Sequence, residues 1–153
     1  MKLIRASLSD SRKLWEMQIA AFKELLEKYQ DFDTNPGSEP LEKVEMRLAQ
    51  PFTYFYFITE SEKIVGAIRV VDMKDGSRKA ISPLFIVSEF RNKGFAQAAI
   101  TAAEAIHGSD NWKLATILQE QGNCHLYEKM GYRKTGQTDI INDKMTIVYY
   151  EKN

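Results

Sequence analysis

One stretch constrains this chain more than any other: AISPLFIVSEFRNKGFAQAAI, residues 80–100. An apolar, β-branched run ends at Val87, and from Phe95 an alanine-rich pattern sets Ala96, Ala99, Ile100, Ala103 and Ile106 on one side. The period changes there from that of a strand to that of a helix. Residues 91–96 therefore form a strand-to-helix loop whose free backbone N–H groups point along the helix axis, and such groups make an anion site. Gly94 allows close approach of a bulky phosphate and a positive φ if one is needed, Arg91 and Lys93 add charge, and Ala96 keeps the first turn small. The ligand implied is a phosphate or pyrophosphate. Neither Gly-x-x-x-x-Gly-Lys-Ser/Thr nor Gly-x-Gly-x-x-Gly occurs, which excludes the usual nucleoside-triphosphate and dinucleotide loops. Taken alone, the run reads equally well as a solvated basic loop with an ordinary turn glycine.

The other elements alternate around it. KLIR is a short first strand. Trp15, Ile19, Phe22, Leu26 and Tyr29 recur at helical steps behind the caps Ser9 and Asp10, and DTNPGSEP breaks that helix. Leu41, Val44 and Leu48 mark a second, shorter helix that stops before Pro51. FTYFYFI and KIVGAIRVV, separated by TESE, predict an antiparallel hairpin, and the Asp-Gly turn in KDGS leads to AISPLFIV. WKLATIL is a strand, GNCHLYEKM a helix closed by Gly131, and KMTIVYY a last strand. Pro83 is awkward in a continuous ladder and marks either a distortion or an edge position.

At 153 residues the chain is expected to be a single domain, 1–153, with its own core. Its 44% hydrophobic and 27% charged residues are those of a folded protein, and 21 basic against 21 acidic side chains argue against general affinity for nucleic acid or anionic membrane. The single cysteine, Cys124, allows no internal disulfide, and no apolar run approaches the ~20 residues of a spanning helix. A cytoplasmic location is the expectation, and no metal is implied.

A second stretch gives the loop its meaning. NCHLYEKMGY, residues 123–132, sets Asn123 and Tyr127 on one helical face, with Leu126 and Met130 facing inward. Together with LFIVSEFRNKGFAQAAI it resembles the GNAT superfamily of acyl-CoA-dependent N-acyltransferases. That family's loop follows Arg/Gln-x-x-Gly-x-Gly/Ala, matched by Arg91, Gly94 and Ala96. Its later helix carries Asn and then Tyr-Glu-Lys-x-Gly-Phe/Tyr, matched by Asn123, Tyr127, Glu128, Lys129, Gly131 and Tyr132. The resemblance implies an α+β fold: a mostly antiparallel twisted sheet of about six to seven strands, splayed at the cofactor slot and flanked by about four helices. It also implies acetyl-CoA as co-substrate. The pyrophosphate would lie on the amides of Asn92, Lys93, Gly94, Phe95, Ala96 and Gln97, beside Arg91, and the pantetheine arm would pair with Phe85, Ile86 and Val87. Asn123 and Tyr127 would border the same site.

The implied reaction is transfer of an acetyl group to a primary amine by direct attack in a ternary complex. Its alternative is a catalytically weak acyl-CoA sensor or partner-binding module of the same fold. Acyl transfer needs a neutral amine, a donor to the developing oxyanion and a proton for the departing thiolate. Backbone amides near Ile86 can supply the second, and the resemblance assigns the third to Tyr127. Asn123 also reads as a plain N-cap. Members often carry a glutamate on the strand before the loop, but AISPLFIV has no acid. Glu120 is taken as its catalytic substitute, with His125 or a water chain as other routes. Cys124 and His125, adjacent on a helix, do not face each other and form no nucleophile pair. The acceptor, a small-molecule or peptide amine, is expected between the first two helices, FTYFYFI and the last hairpin, a region that contains Trp15, Phe22, Tyr29, Phe32, Tyr54, Tyr56 and Tyr149. A homodimer along an exposed last strand is a further expectation.

Overall fold

Ser61 and Glu62 both take positive φ, 49° and 67°, and so turn the first long aromatic strand back on its neighbour without a glycine. The computed structural model that reveals this describes residues 1–153. β1 (Lys2–Arg5) precedes α1 (Ser11–Tyr29) and α2 (Leu41–Ala49), and β2 (Thr53–Glu60), β3 (Lys63–Val71) and β4 (Lys79–Ile86) follow as antiparallel neighbours. α3 (Phe95–His107), β5 (Trp112–Ile117), α4 (Gln121–Lys129), β6 (Arg133–Asn142) and β7 (Met145–Lys152) complete the chain. The strands form one seven-stranded sheet in the order β1-β2-β3-β4-β5-β7-β6, the mostly antiparallel α+β arrangement expected.

The strand period puts alternate side chains on opposite faces, and each face has its own core. Beneath α3 and α4 lie Ile58, Val65, Ile68, Ile100, Trp112 and Tyr150; beneath α1 and α2 lie Leu14, Val44, Phe55, Phe57, Ala67 and Phe85. Burying each large side chain contributes roughly 1.5–3 kcal/mol. Trp15, Ile19, Phe22 and Leu26 are only half-buried. The fully covered side of α1 is set by Leu14, Gln18, Ala21 and Tyr29, so the helix is rotated from the expected face. Ile106, which the sequence places on one side of α3 with Ala99, Ile100 and Ala103, is 55% exposed while those three are buried.

β4 and β5 are the only parallel neighbours, and just two residue pairs join them, Lys79 with Trp112 and Ala80 with Lys113. Beyond Ala80 the strands part. Opposite Arg69 of β3 the register shifts, so that Ser82 and Pro83 together face one residue; the distortion is a bulge and not an edge position. Arg69 stabilises it by donating from Nη1 to the Ser82 carbonyl at 2.7 Å. β6 was not marked in the sequence. It is exposed from Arg133 to Ile140, and RKTGQTDI has no inward apolar side to alternate.

Candidate active site

The loop before α3 has two left-handed residues, Asn92 at φ 62° and Gly94 at φ 82°. Gly94 caps the helix, and a Cβ there would meet nothing within 4 Å, so glycine is required by φ and not by crowding. The backbone N–H groups of Asn92 to Gln97 donate to no other group of the protein. They form a donor cradle at the positive end of a thirteen-residue helix. Arg91 does more than add charge: Nε donates to the Ile86 carbonyl at 3.0 Å and Nη2 to the Ala21 carbonyl at 2.7 Å, tying the loop to β4 and α1.

The parted edge of β4 points the other way from its ladder. Val87 N–H donates to the Val65 carbonyl at 2.8 Å, so strand alternation turns the N–H and C=O of Ile86 into the gap beside β5. Arg91 takes that carbonyl, and the Ile86 N–H has no strand opposite it.

Across the gap stands Tyr127 of α4. Its ring packs edge-on against Tyr132 at 6.1 Å and tilted against Tyr150 at 6.3 Å, which fixes its direction. Tyr150 is itself held by donation to Glu128 at 2.7 Å. Burial, with a smaller contribution from Cys124, pushes the Tyr127 phenol up to about 12, so it is a protonated donor at neutral pH. Asn123 lies one turn earlier and does not cap the helix; the cap position is Glu120, whose carbonyl accepts from the N–H groups of Asn123 and Cys124.

The Glu120 side chain joins elements distant in sequence. Tyr29, the last residue of α1, donates its hydroxyl to Glu120 Oε2, and Lys28 Nζ lies 2.9 Å from the same oxygen. Partial burial works to raise the Glu120 carboxyl, but donation from Tyr29 and Lys28 outweighs it and holds the group below the usual carboxylate range. The same contacts push Lys28 up.

Phe85, Ile86, Arg91, Asn92, Gly94, Phe95, Ala96, Gln97, Glu120, Asn123 and Tyr127 all line one cavity of about 480 Å³. Val87 and Lys93 do not: Val87 borders a separate cavity of about 280 Å³, and Lys93 Nζ rests 5.8 Å from the Phe90 ring. Sequence reasoning missed Ala21, Glu24 and Leu25 in the wall supplied by α1, because they lie off the stripe of Trp15, Ile19, Phe22 and Leu26 by which the sequence oriented that helix. Of the aromatic residues expected around the acceptor, Phe22 lines the cavity and Tyr29 reaches Glu120. Tyr54 and Tyr56 instead face α3, where Tyr56 shares a hydrogen bond with His107 Nε2 at 2.8 Å and His107 Nδ1 meets Asp72 at 2.9 Å. None of those three lines the cavity. No three His, Cys, Asp or Glu side chains converge as metal ligands, and no helix is long and apolar enough to cross a membrane.

A free-amide cradle and a parted parallel strand pair on a seven-stranded sheet make up an architecture on which solved N-acetyltransferase structures superpose. PaiA N-acetyltransferase from Thermoplasma acidophilum, solved with coenzyme A, is 14% identical with TM-score 0.75, covering 99% of this chain and 98% of its own. Spermidine N-acetyltransferase from Vibrio cholerae, solved with coenzyme A and spermine, is 15% identical with TM-score 0.75, covering 97% and 92%. An acetyltransferase from Thermus thermophilus is 15% identical with TM-score 0.68, covering 97% and 94%. No curated protein matches the sequence. A sequence model of the acetyltransferase (GNAT) family matches residues 19–132. The chain belongs to that family and is an acyl-CoA-dependent N-acetyltransferase.

Proposed function

We propose that this protein transfers the acetyl group of acetyl-CoA to a primary amine by direct attack in a ternary complex. One observation carries the reading: the unpartnered amides of Asn92 and of Gly94 to Gln97, the inward N–H of Ile86 and the Tyr127 side chain all belong to residues that border one cavity. A bent, anionic thioester needs those three features in that order. The amides of Asn92 to Gln97 would hold the pyrophosphate, and the gap edge at Phe85 and Ile86 would pair with the pantetheine arm. Bound acetyl-CoA supplies the activated acetyl group. Ile86 N–H then stabilises the charge that develops on the carbonyl oxygen. As the N–C bond forms and the C–S bond breaks, Tyr127 gives its proton to the sulfur. Glu120, ionised, orients the amine, and because a low pKa makes it a weak base, the amine's proton leaves through water.

The spermidine and spermine named for one structural neighbour support a small aliphatic amine as acceptor. The last strand, β7, is paired on both sides and offers no edge for the expected homodimer; the free edge is β6, a homodimer along it belongs to the same reading, and sedimentation velocity tests it. The function is tested by calorimetric titration with coenzyme A, followed by thiol release across a panel of amines. Tight coenzyme binding without thiol release from any amine would leave the acyl-CoA-binding module standing instead.

A further inference from the structure

Resting on that reading, we propose that Glu120 is the seat for the acceptor's ammonium, with Tyr29 as its fixed partner and Lys28 as an internal occupant that the acceptor displaces. The class selected is a primary alkylamine, cationic at neutral pH, over an arylamine, which is uncharged there.

Three observations carry this. Glu120 borders the same cavity as Asn123 and Tyr127, so a ligand on its side chain shares the cavity with those residues. Its Oε2 already holds a primary alkylammonium, that of Lys28, at 2.9 Å, while its Oε1 accepts no hydrogen bond. The two partners differ in permanence. Tyr29 is 2% exposed, and its own carbonyl accepts from Asn142 Nδ2 at 2.8 Å, so its phenol is held from both ends of the residue. The Lys28 side chain is 60% exposed, and a pair of that kind contributes little and exchanges readily. The structure thus combines a rigid carboxylate with a removable ammonium of the acceptor's own chemical type. Tyr29 is a positioning residue: it touches Glu120 and not the reacting atoms.

The probe is n-butylammonium, added to the whole protein without acetyl-CoA and followed through the Glu120 carboxyl carbon resonance, assigned with Glu120→Gln. Saturable displacement is expected in the wild type. Lys28→Met should tighten binding roughly two- to five-fold, the range that displacement of an exposed ion pair corresponds to. Tyr29→Phe should weaken it by at least a similar factor. Lys23→Met, which removes the same charge from the same helix away from Glu120, should change nothing. Equal affinity in wild type and Lys28→Met, or an unmoved Glu120 resonance, overturns the proposal. In turnover, Glu120→Gln should raise KM for butylamine several-fold and leave that for aniline within two-fold; an equal rise for both overturns the alkylamine selectivity. Butylammonium bound at Glu120 without thiol release from any amine refutes the transferase reading and leaves the seat intact.

Discussion

Gly66 and Phe85 meet so closely that a Cβ on Gly66 would stand 2.2 Å from the Phe85 carbonyl oxygen, and 3.0 Å from the Ile86 Cα. Backbone, not a flexible side chain, fills the space. This contact holds β3 against β4 on the opposite side from the gap.

Gly66→Ala should therefore push β4 toward the slot. Overpacking of a fixed site costs typically 1–3 kcal/mol, and this one has no soft neighbour to yield. Urea unfolding should show that loss, and coenzyme A affinity should fall with it because Ile86 moves. Unchanged stability would mean that the strands separate without strain.

Gly94 separates strain from charge. Gly94→Ala has open space around its Cβ but must hold φ near 82°, at about 1–2 kcal/mol. Gly94→Asp carries less of that strain, since aspartate tolerates positive φ better than alanine, but adds a negative charge to the amide cradle, so it should abolish coenzyme A binding while the chain stays folded. Calorimetry on both variants checks this; equal affinities for Asp and wild type would remove the phosphate assignment.

Tyr127→Phe keeps the ring between Tyr132 and Tyr150 and removes only the proton donor. General acid catalysis is typically worth 10²–10⁴-fold, so kcat should fall by about that factor with KM for acetyl-CoA within a few-fold. Thiol release with the best amine, measured across pH, decides it. Equal kcat where chemistry limits turnover would assign the proton to another group.

Glu120 gives the fold a pH dependence of definite sign. Its folded pKa lies below the unfolded value of about 4.3, so its contribution to stability is full above that pH and disappears as pH falls through the folded value. Lys28, pushed up, behaves oppositely at the alkaline end, with its contribution lost above about pH 10.4. Glu120→Gln should flatten the unfolding curve below about pH 4.3 relative to wild type. Parallel curves would mean that Tyr29 and Lys28 hold the protonated carboxyl as well as the carboxylate, so that folding leaves the Glu120 pKa unshifted.

Periodicity and punctuation located the elements whose partners are local. The loop at Arg91 to Ala96 and the face shared by Asn123 and Tyr127 could be read because both depend on spacing within one segment. The wall from Ala21, Glu24 and Leu25 could not, since it depends on how α1 rolls against the sheet, and intermediate burial blurs its apolar stripe. Tyr29 and Glu120 lie 91 residues apart, and their pairing has no local signature. The charge of Arg91 is legible in the sequence, but the two carbonyls that hold it, at Ile86 and Ala21, are not. β6 escaped because a strand exposed on both sides needs no alternation.

Mechanically, the sheet is two leaves on a short hinge. Lys79, Ala80, Trp112 and Lys113 are the pin, β1 to β4 form one leaf, and β5, β7 and β6 form the other. The shared core beneath α3 and α4 spans both and acts as the spring that sets their angle. A molecule paired along the gap works as a clasp, so breathing of the far ends of β4 and β5 should slow whenever the slot is filled.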